Sequence, residues 1–214
     1  MTLSSKELSI FLGSVHNNAS KLDKLKIVYR PYIVPFGQLI YDCKDSNAIL
    51  DIGCGSGQFL LLLSKFTNAM KVGGIEISSI LINNAKDLLT SQSNTEFQIE
   101  IYDGINIPDF VSDFDTVTLI DVFHHIKKKR QIEFLEELYK KMKYGSKLIF
   151  KDIDASHPLL FMSKIHDLLL AGEMVNMVSS PKARKVLAEI GFDIVSFSKK
   201  LMVWYPHYTI ICVK

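Results

Sequence analysis

The sequence predicts an α/β fold: a mostly parallel sheet with helices on both faces, finished by one antiparallel hairpin. Three observations predict it. Short apolar runs alternate with helical periodicity from Ala48 onward, the pattern of a parallel sheet covered on both sides. The turn after the first run is crowded with glycine. The last two strand-like segments follow each other with no helix between them. At 214 residues, 48% of them apolar, the chain suits one domain, residues 1–214, with a few dozen residues to spare for a lid or cap.

Residues 1–45 read as a helical, irregular lid segment. Ser4 to Phe11 is a short helix candidate, and Pro31 and Pro35 punctuate a tyrosine-rich stretch from Val28 to Phe36. Ala48 to Ile52 is a buried strand that ends in glycines. Gln58 to Phe66 is apolar nearly all round, as expected of a helix inside a layered domain. Lys71 to Ile75 is the second strand, and Ser78 to Leu89 a helix with Ser78 or Ser79 as its N-cap. Phe97 to Tyr102 and Thr116 to Asp121 are strands three and four. Lys127 to Met142 is a helix with Leu135, Leu138 and Met142 in register, and Gly145 is its expected C-terminal cap. Lys147 to Lys151 is strand five. An apolar insertion, residues 155–180, precedes a helix from Pro181 to Ile190 that stops at Gly191. Asp193 to Leu201 and Trp204 to Val213 form the hairpin, joined around Met202 and Val203.

Composition excludes several classes. No apolar run reaches the roughly 18 residues of a membrane span, and Met1 to Phe11 lacks the pattern of a signal peptide. Cys43, Cys54 and Cys212 are odd in number and form no metal-binding pattern, so reduced thiols, a cytoplasmic location and no metal are expected. A net charge of +2 does not demand a nucleic-acid partner. The run Lys127-Lys128-Lys129-Arg130 reads as a solvated helix face, paired with Glu133, Glu136 and Glu137.

The most informative motif is Asp51-Ile52-Gly53-Cys54-Gly55-Ser56-Gly57. Glycines here let the chain turn sharply and let a ligand approach the main chain. A dinucleotide fingerprint wants a small residue at position 58, where Gln58 stands. A phosphate-binding P-loop wants Lys after the last glycine, and fails likewise. Acid-x-Gly-x-Gly-x-Gly fits at every position, and Glu76 follows at the end of the second strand, 25 residues after Asp51. With the terminal hairpin, these residues make the chain resemble the class I S-adenosylmethionine-dependent methyltransferases, small-molecule type.

The resemblance implies a Rossmann-like three-layer α/β/α sandwich with a seven-stranded sheet in the order 3-2-1-4-5-7-6. It implies S-adenosyl-L-methionine as cofactor and S-adenosyl-L-homocysteine as product. The loop Asp51, Gly53, Cys54, Gly55 and Gly57 would hold the methionine part. Glu76, beside Ile77, would accept from the ribose hydroxyls. Asp103, followed by Gly104, would receive the adenine amino group, or is an ordinary Asp-Gly turn. Arg30 pairs with the cofactor carboxylate, or is an ordinary surface arginine.

Asp121-Val122-Phe123-His124-His125 is similar to the D-x-x-H-H segment of small-molecule methyltransferases. Asp121 and Val122 would meet the cofactor, Phe123 would pack on it, and His124 or His125 would face the acceptor as general base. The alternative is that the histidines cap a helix and pack. The segment lacks the Asn/Asp-Pro-Pro-Tyr/Phe turn common in amino methylation. Methyl transfer is an in-line displacement, so the protein must hold the acceptor in line and take its proton. Histidine suits a phenol, enol or hydroxyl. Asp152 and Asp154 orient a substrate or form a strand-end turn. The insertion caps an apolar acceptor, with His166 and Asp167 near the pocket, or packs on the core. The expected function is methylation of an oxygen or carbon of a small, apolar or aromatic acceptor. The rivals are an RNA methyltransferase using the basic run, and a non-catalytic cofactor-binding partner subunit.

Overall fold

The computed structural model describes residues 2–15, 21–158 and 176–214. Most of the apolar insertion, with His166 and Asp167, falls outside the described residues.

Seven strands form one sheet: β1 (Ala48–Ile52), β2 (Lys71–Glu76), β3 (Glu96–Ile101), β4 (Thr116–Ile120), β5 (Lys147–Ile153), β6 (Asp193–Met202) and β7 (Tyr205–Val213). Their order is β3-β2-β1-β4-β5-β7-β6, as the resemblance implies. The first five are parallel, and β7 runs antiparallel between β5 and β6. β1 is apolar on both sides because helices cover both faces: Ile49 packs into one apolar cluster and Leu50 into the other.

Among the described residues the α-helices are α1 (Ser5–Val15), α2 (Lys21–Ile33), α3 (Phe36–Cys43), α4 (Gln58–Phe66), α5 (Ser79–Gln92), α6 (Gln131–Lys141) and α7 (Ser180–Ile190). α1 starts at a reciprocal cap: the Glu7 amide donates to Ser4 Oγ at 3.3 Å and the Ser4 amide to Glu7 Oε2 at 2.8 Å. It extends beyond Phe11, the expected end. Leu8 and Leu12 are buried beside Leu39 and Ile40 of α3, so the N-terminal helices contribute to the core. α2 runs through Pro31, where an irregular stretch was expected. Near a helix end proline removes one hydrogen bond, and the next turn still closes through Val34 N–H to the Arg30 carbonyl at 2.9 Å. Ser78 caps α5 as expected, its Oγ accepting from the Leu81 amide.

Two expectations near α6 are corrected. Lys128–Arg130 is a 3-10 turn, and the helix begins only at Gln131. The basic run is therefore an exposed turn, with Arg130 alone reaching Glu133, at 3.3 Å. The helix ends at Lys141. Gly145, in the left-handed region at φ 77°, shapes the following turn, and its amide donates to the Lys214 carbonyl. Gly191 does cap α7, at φ 116°.

Candidate functional site

The carboxyl ends of β1, β2, β4 and β5 meet along one edge of the sheet. After Ile52 the chain turns through Gly53, Gly55 and Gly57, all in the left-handed region. A Cβ on Gly53 would stand 2.4 Å from Val122 Cγ2, and one on Gly57 2.9 Å from Ala85 Cβ in α5. Those two glycines make room for protein. A Cβ on Gly55 would meet nothing within 4 Å, so there the loop faces open space. Cys54 packs inward: a Cβ on Gly74 would come within 2.6 Å of its sulfur.

Glu76 ties this loop to β2. Its Oε2 accepts from the Gly55 amide at 3.1 Å, and its Oε1 from the amides of Ile77 and Ser78 at 2.8 and 3.1 Å. A carboxylate has about four acceptor positions, which leaves one for a ligand hydroxyl. Beside it the Ile77 side chain is 62% exposed, an apolar surface at the edge of the open space. Asp51 is buried, and Thr118 Oγ1 donates to its Oδ1 at 2.6 Å. Burial pushes its carboxyl up to about 7, against the Thr118 hydrogen bond and the Arg30 charge. Asp103 is exposed, and its carboxylate accepts from the amides of Ile105 and Asn106 at 2.8 and 2.7 Å. Those bonds hold its own turn, with Gly104 at φ 77°, and lower its pKa.

At the end of β4, Asp121 takes φ 56°, unusual for a residue with a side chain. Both its oxygens accept from Lys151 Nζ, at 2.6 and 2.5 Å. Burial alone would raise the Asp121 carboxyl, but Lys151, His207 and His124 outweigh it and hold it at about 2. Lys151 is fully buried, and that burial lowers its pKa against the pull of Asp121. Phe123 turns inward, its ring 5.1 Å from Phe150 in the core. His124 is buried and His125 exposed, their rings 4.2 Å apart.

His124 is held by Asp152. His124 Nδ1 lies 2.5 Å from Asp152 Oδ1, and the His124 amide donates to Oδ2 at 3.2 Å. A carboxylate only accepts, so Nδ1 carries the proton in this pair. Asp154 has a separate task. It accepts from Ser156, from the amide and hydroxyl of Ser180 and from Lys199, fixing the turn and the start of α7. Asp121, His124 and Asp152 bring donor atoms within 4.8 Å of one another. Lys151 already supplies that cluster with a cation.

These groups open on a cavity of about 380 Å³ between α2 and the sheet edge. His124, His125 and Asp121 line it from below, and Arg30, Ile33 and Tyr205 form walls. His207 also lines it. Burial lowers its ring pKa to about 3, and its Nε2 donates to the Ile33 carbonyl at 2.7 Å.

The sequence matches the profile of a methyltransferase domain over residues 28–197. The chain belongs to that family. It has the class I, Rossmann-like fold of methyltransferases. Among solved structures, the methyltransferase is similar to magnesium protoporphyrin IX methyltransferase from Synechocystis with bound S-adenosylhomocysteine. The TM-score is 0.71 at 17% identity, over 94% of this chain and 91% of that one. Its sequence is 25% identical, over 75% of its length, to the mitochondrial ubiquinone biosynthesis O-methyltransferase of Schizosaccharomyces pombe, covering 53% of that protein. It is 26% identical, over 52% of its length, to a probable tRNA methyltransferase 9B of Mus musculus, covering 23% of that protein. The methyltransferase thus spans about half or less of these curated relatives.

Several residues of this site escape sequence reading. The pairing of Lys151 with Asp121 is not visible in the sequence, and Asp152 reads there as orienting a substrate or forming a strand-end turn, with no hint that it holds His124. The available signal is the parallel register, which places Lys151 beside Ile120, one residue before Asp121.

Proposed function

We propose that this methyltransferase moves the methyl group of S-adenosylmethionine to an oxygen or carbon of a small, apolar or aromatic acceptor held in the cavity beneath α2. The observation that carries the reading is the buried His124–Asp152 pair at the cavity wall, 2.5 Å apart. The residues present fit the cofactor. Gly55 faces open space, Glu76 keeps an acceptor position, and Asp51 offers a carboxyl to a cationic ligand.

When bound, S-adenosylmethionine supplies an activated methyl group on a positively charged sulfur. The loop from Gly53 to Gly57, with Asp51 and Glu76, would hold it, and Ile77 and Gly104 would lie beside it. Asp121 and Val122 would shape the floor. The walls of α2 and Tyr205 exclude water and set the acceptor in line. Asp152 keeps the proton on His124 Nδ1, so Nε2 takes the acceptor's proton as the nucleophile attacks. The resulting imidazolium is stabilised by the same carboxylate. His125, exposed beside it, is the second candidate for this task.

The test is turnover after a screen of phenolic, quinol and lipid-like acceptors. His124→Ala should lower turnover by about 10²–10⁴. Calorimetry should show affinity for S-adenosylhomocysteine unchanged. Full turnover in both His124→Ala and His125→Ala would return the pair to packing.

A further inference from the structure

The cavity-facing stripe of α2 carries Lys26, Tyr29, Arg30 and Ile33, one helical face at spacings of three and four. Two of these four are cations a single turn apart, an arrangement that repels itself. Neither has a carboxylate within ion-pairing distance among the described residues. Arg30 is half-buried, and its guanidinium lies 5.6 Å from the centroid of the Phe36 ring. A guanidinium offers five donors and is costly to hold in an apolar wall without acceptors.

Among the described residues, charges elsewhere in the cavity do not balance the pair. Asp121 is neutralised by Lys151, with both its oxygens engaged. His207 donates to a backbone carbonyl, and its burial keeps the ring neutral. Asp51, the acid on which Arg30 acts at longer range, lies under the glycine loop and holds Thr118. Of the remaining lining residues, Val34, Ile153 and Tyr205 are apolar or aromatic, and His124 and His125 are imidazoles that bring no negative charge. Positive charge on one side of an apolar cavity describes its ligand by complement.

We propose that the methyl acceptor is an amphipathic carboxylate, its acid group held by Lys26 and Arg30 and its apolar body against Ile33, Ile153 and Tyr205. This rests on the reading of the cavity as the acceptor site. It assigns Arg30 to the acceptor, and the cofactor carboxylate to other groups. An anionic acceptor also opposes the positive charge that the cofactor brings, so the two ligands attract each other.

The experiment is calorimetry on the full chain without cofactor, with 3-phenylpropionate and its neutral isostere 3-phenylpropanamide. The acid should bind at least about tenfold tighter than the amide, and added salt should erode the difference. Lys26→Gln and Arg30→Gln should each reduce that preference, the double variant should abolish it, and Lys26→Arg should keep it. S-adenosylhomocysteine should bind all variants as it binds the parent. Equal affinity for acid and amide overturns the proposal, as does no binding of the acid at millimolar concentration. So does a preference that survives in the double variant. Loss of S-adenosylhomocysteine affinity in Arg30→Gln with the acid preference intact overturns the Arg30 assignment and returns that residue to the cofactor. His124→Ala keeps the acid preference in every case, so failure of the base and failure of the anion subsite are told apart.

Discussion

At the scale of single residues, Asp51 carries a pH dependence with a definite sign. Burial puts its carboxyl at about 7, so near neutrality about half the molecules hold a proton there. A ligand bearing an ammonium and a sulfonium prefers the ionised form, and binding must expel that proton. Affinity for S-adenosylmethionine should therefore rise by about tenfold between pH 6 and pH 8, and the rise should vanish in Asp51→Asn. Calorimetry at the two pH values decides; equal affinities would leave Asp51 only its bond to Thr118. The same shift opposes folding. A carboxyl raised in the folded state loses stability as pH climbs from about 4, its unfolded value, to about 7. None of this can be read from the sequence, where Asp51 is an acid before a glycine. The shift comes from helices packed on both faces of β1, and the compensating hydroxyl of Thr118 comes from a strand 67 residues away.

At the scale of elements, the β6–β7 connection contains a local conflict. Only Val203 and Trp204 join the strands, and Val203 takes φ 58°. A β-branched side chain in the left-handed region costs roughly 1–2 kcal/mol. Val203 is 51% exposed, so little packing offsets that cost. Val203→Asn, a residue at ease in that conformation, should add about 1 kcal/mol and raise Tm by about 2–4 °C in a thermal melt. An unchanged or lower Tm would mean the valine packs better than its exposure suggests. The hairpin itself was legible, because two apolar runs with no helix between them have few other ways to pair. Helix ends were less so. Gly145 looked like a cap because it follows Tyr144 at the end of an amphipathic run. Three residues separate it from the last helical one, Lys141, and it serves the turn into β5. Pro31 looked like a break because sequence alone does not tell a helix interior from its final turn.

At the scale of the whole molecule, sheet order and cofactor were legible because a glycine loop, an acid one strand later and a closing hairpin occur together only in few architectures. The acceptor was not, since its cavity is walled by α2 and β7, which lie far apart in sequence. The likeness to a probable tRNA methyltransferase makes the exposed turn at Lys127, Lys128 and Lys129 worth a direct test. With a net charge of only +2, replacing all three by Gln should leave affinity for bulk tRNA and its salt dependence nearly unchanged in a filter-binding assay. A large, salt-sensitive loss would favour a nucleic-acid acceptor. The placing of β7 has one more consequence, and it concerns synthesis. A ribosome delivers β1 to β5 first, and these can pair side by side as they emerge. The edge of β5, with Leu148, Ile149 and Phe150, must then wait for the strand made after β6, since β7 alone fits between them. Until that strand leaves the exit tunnel the nascent sheet offers an open, apolar border to any neighbouring chain. Slowing translation before Tyr205 would prolong that exposure, and the newborn protein would depend more heavily on chaperones.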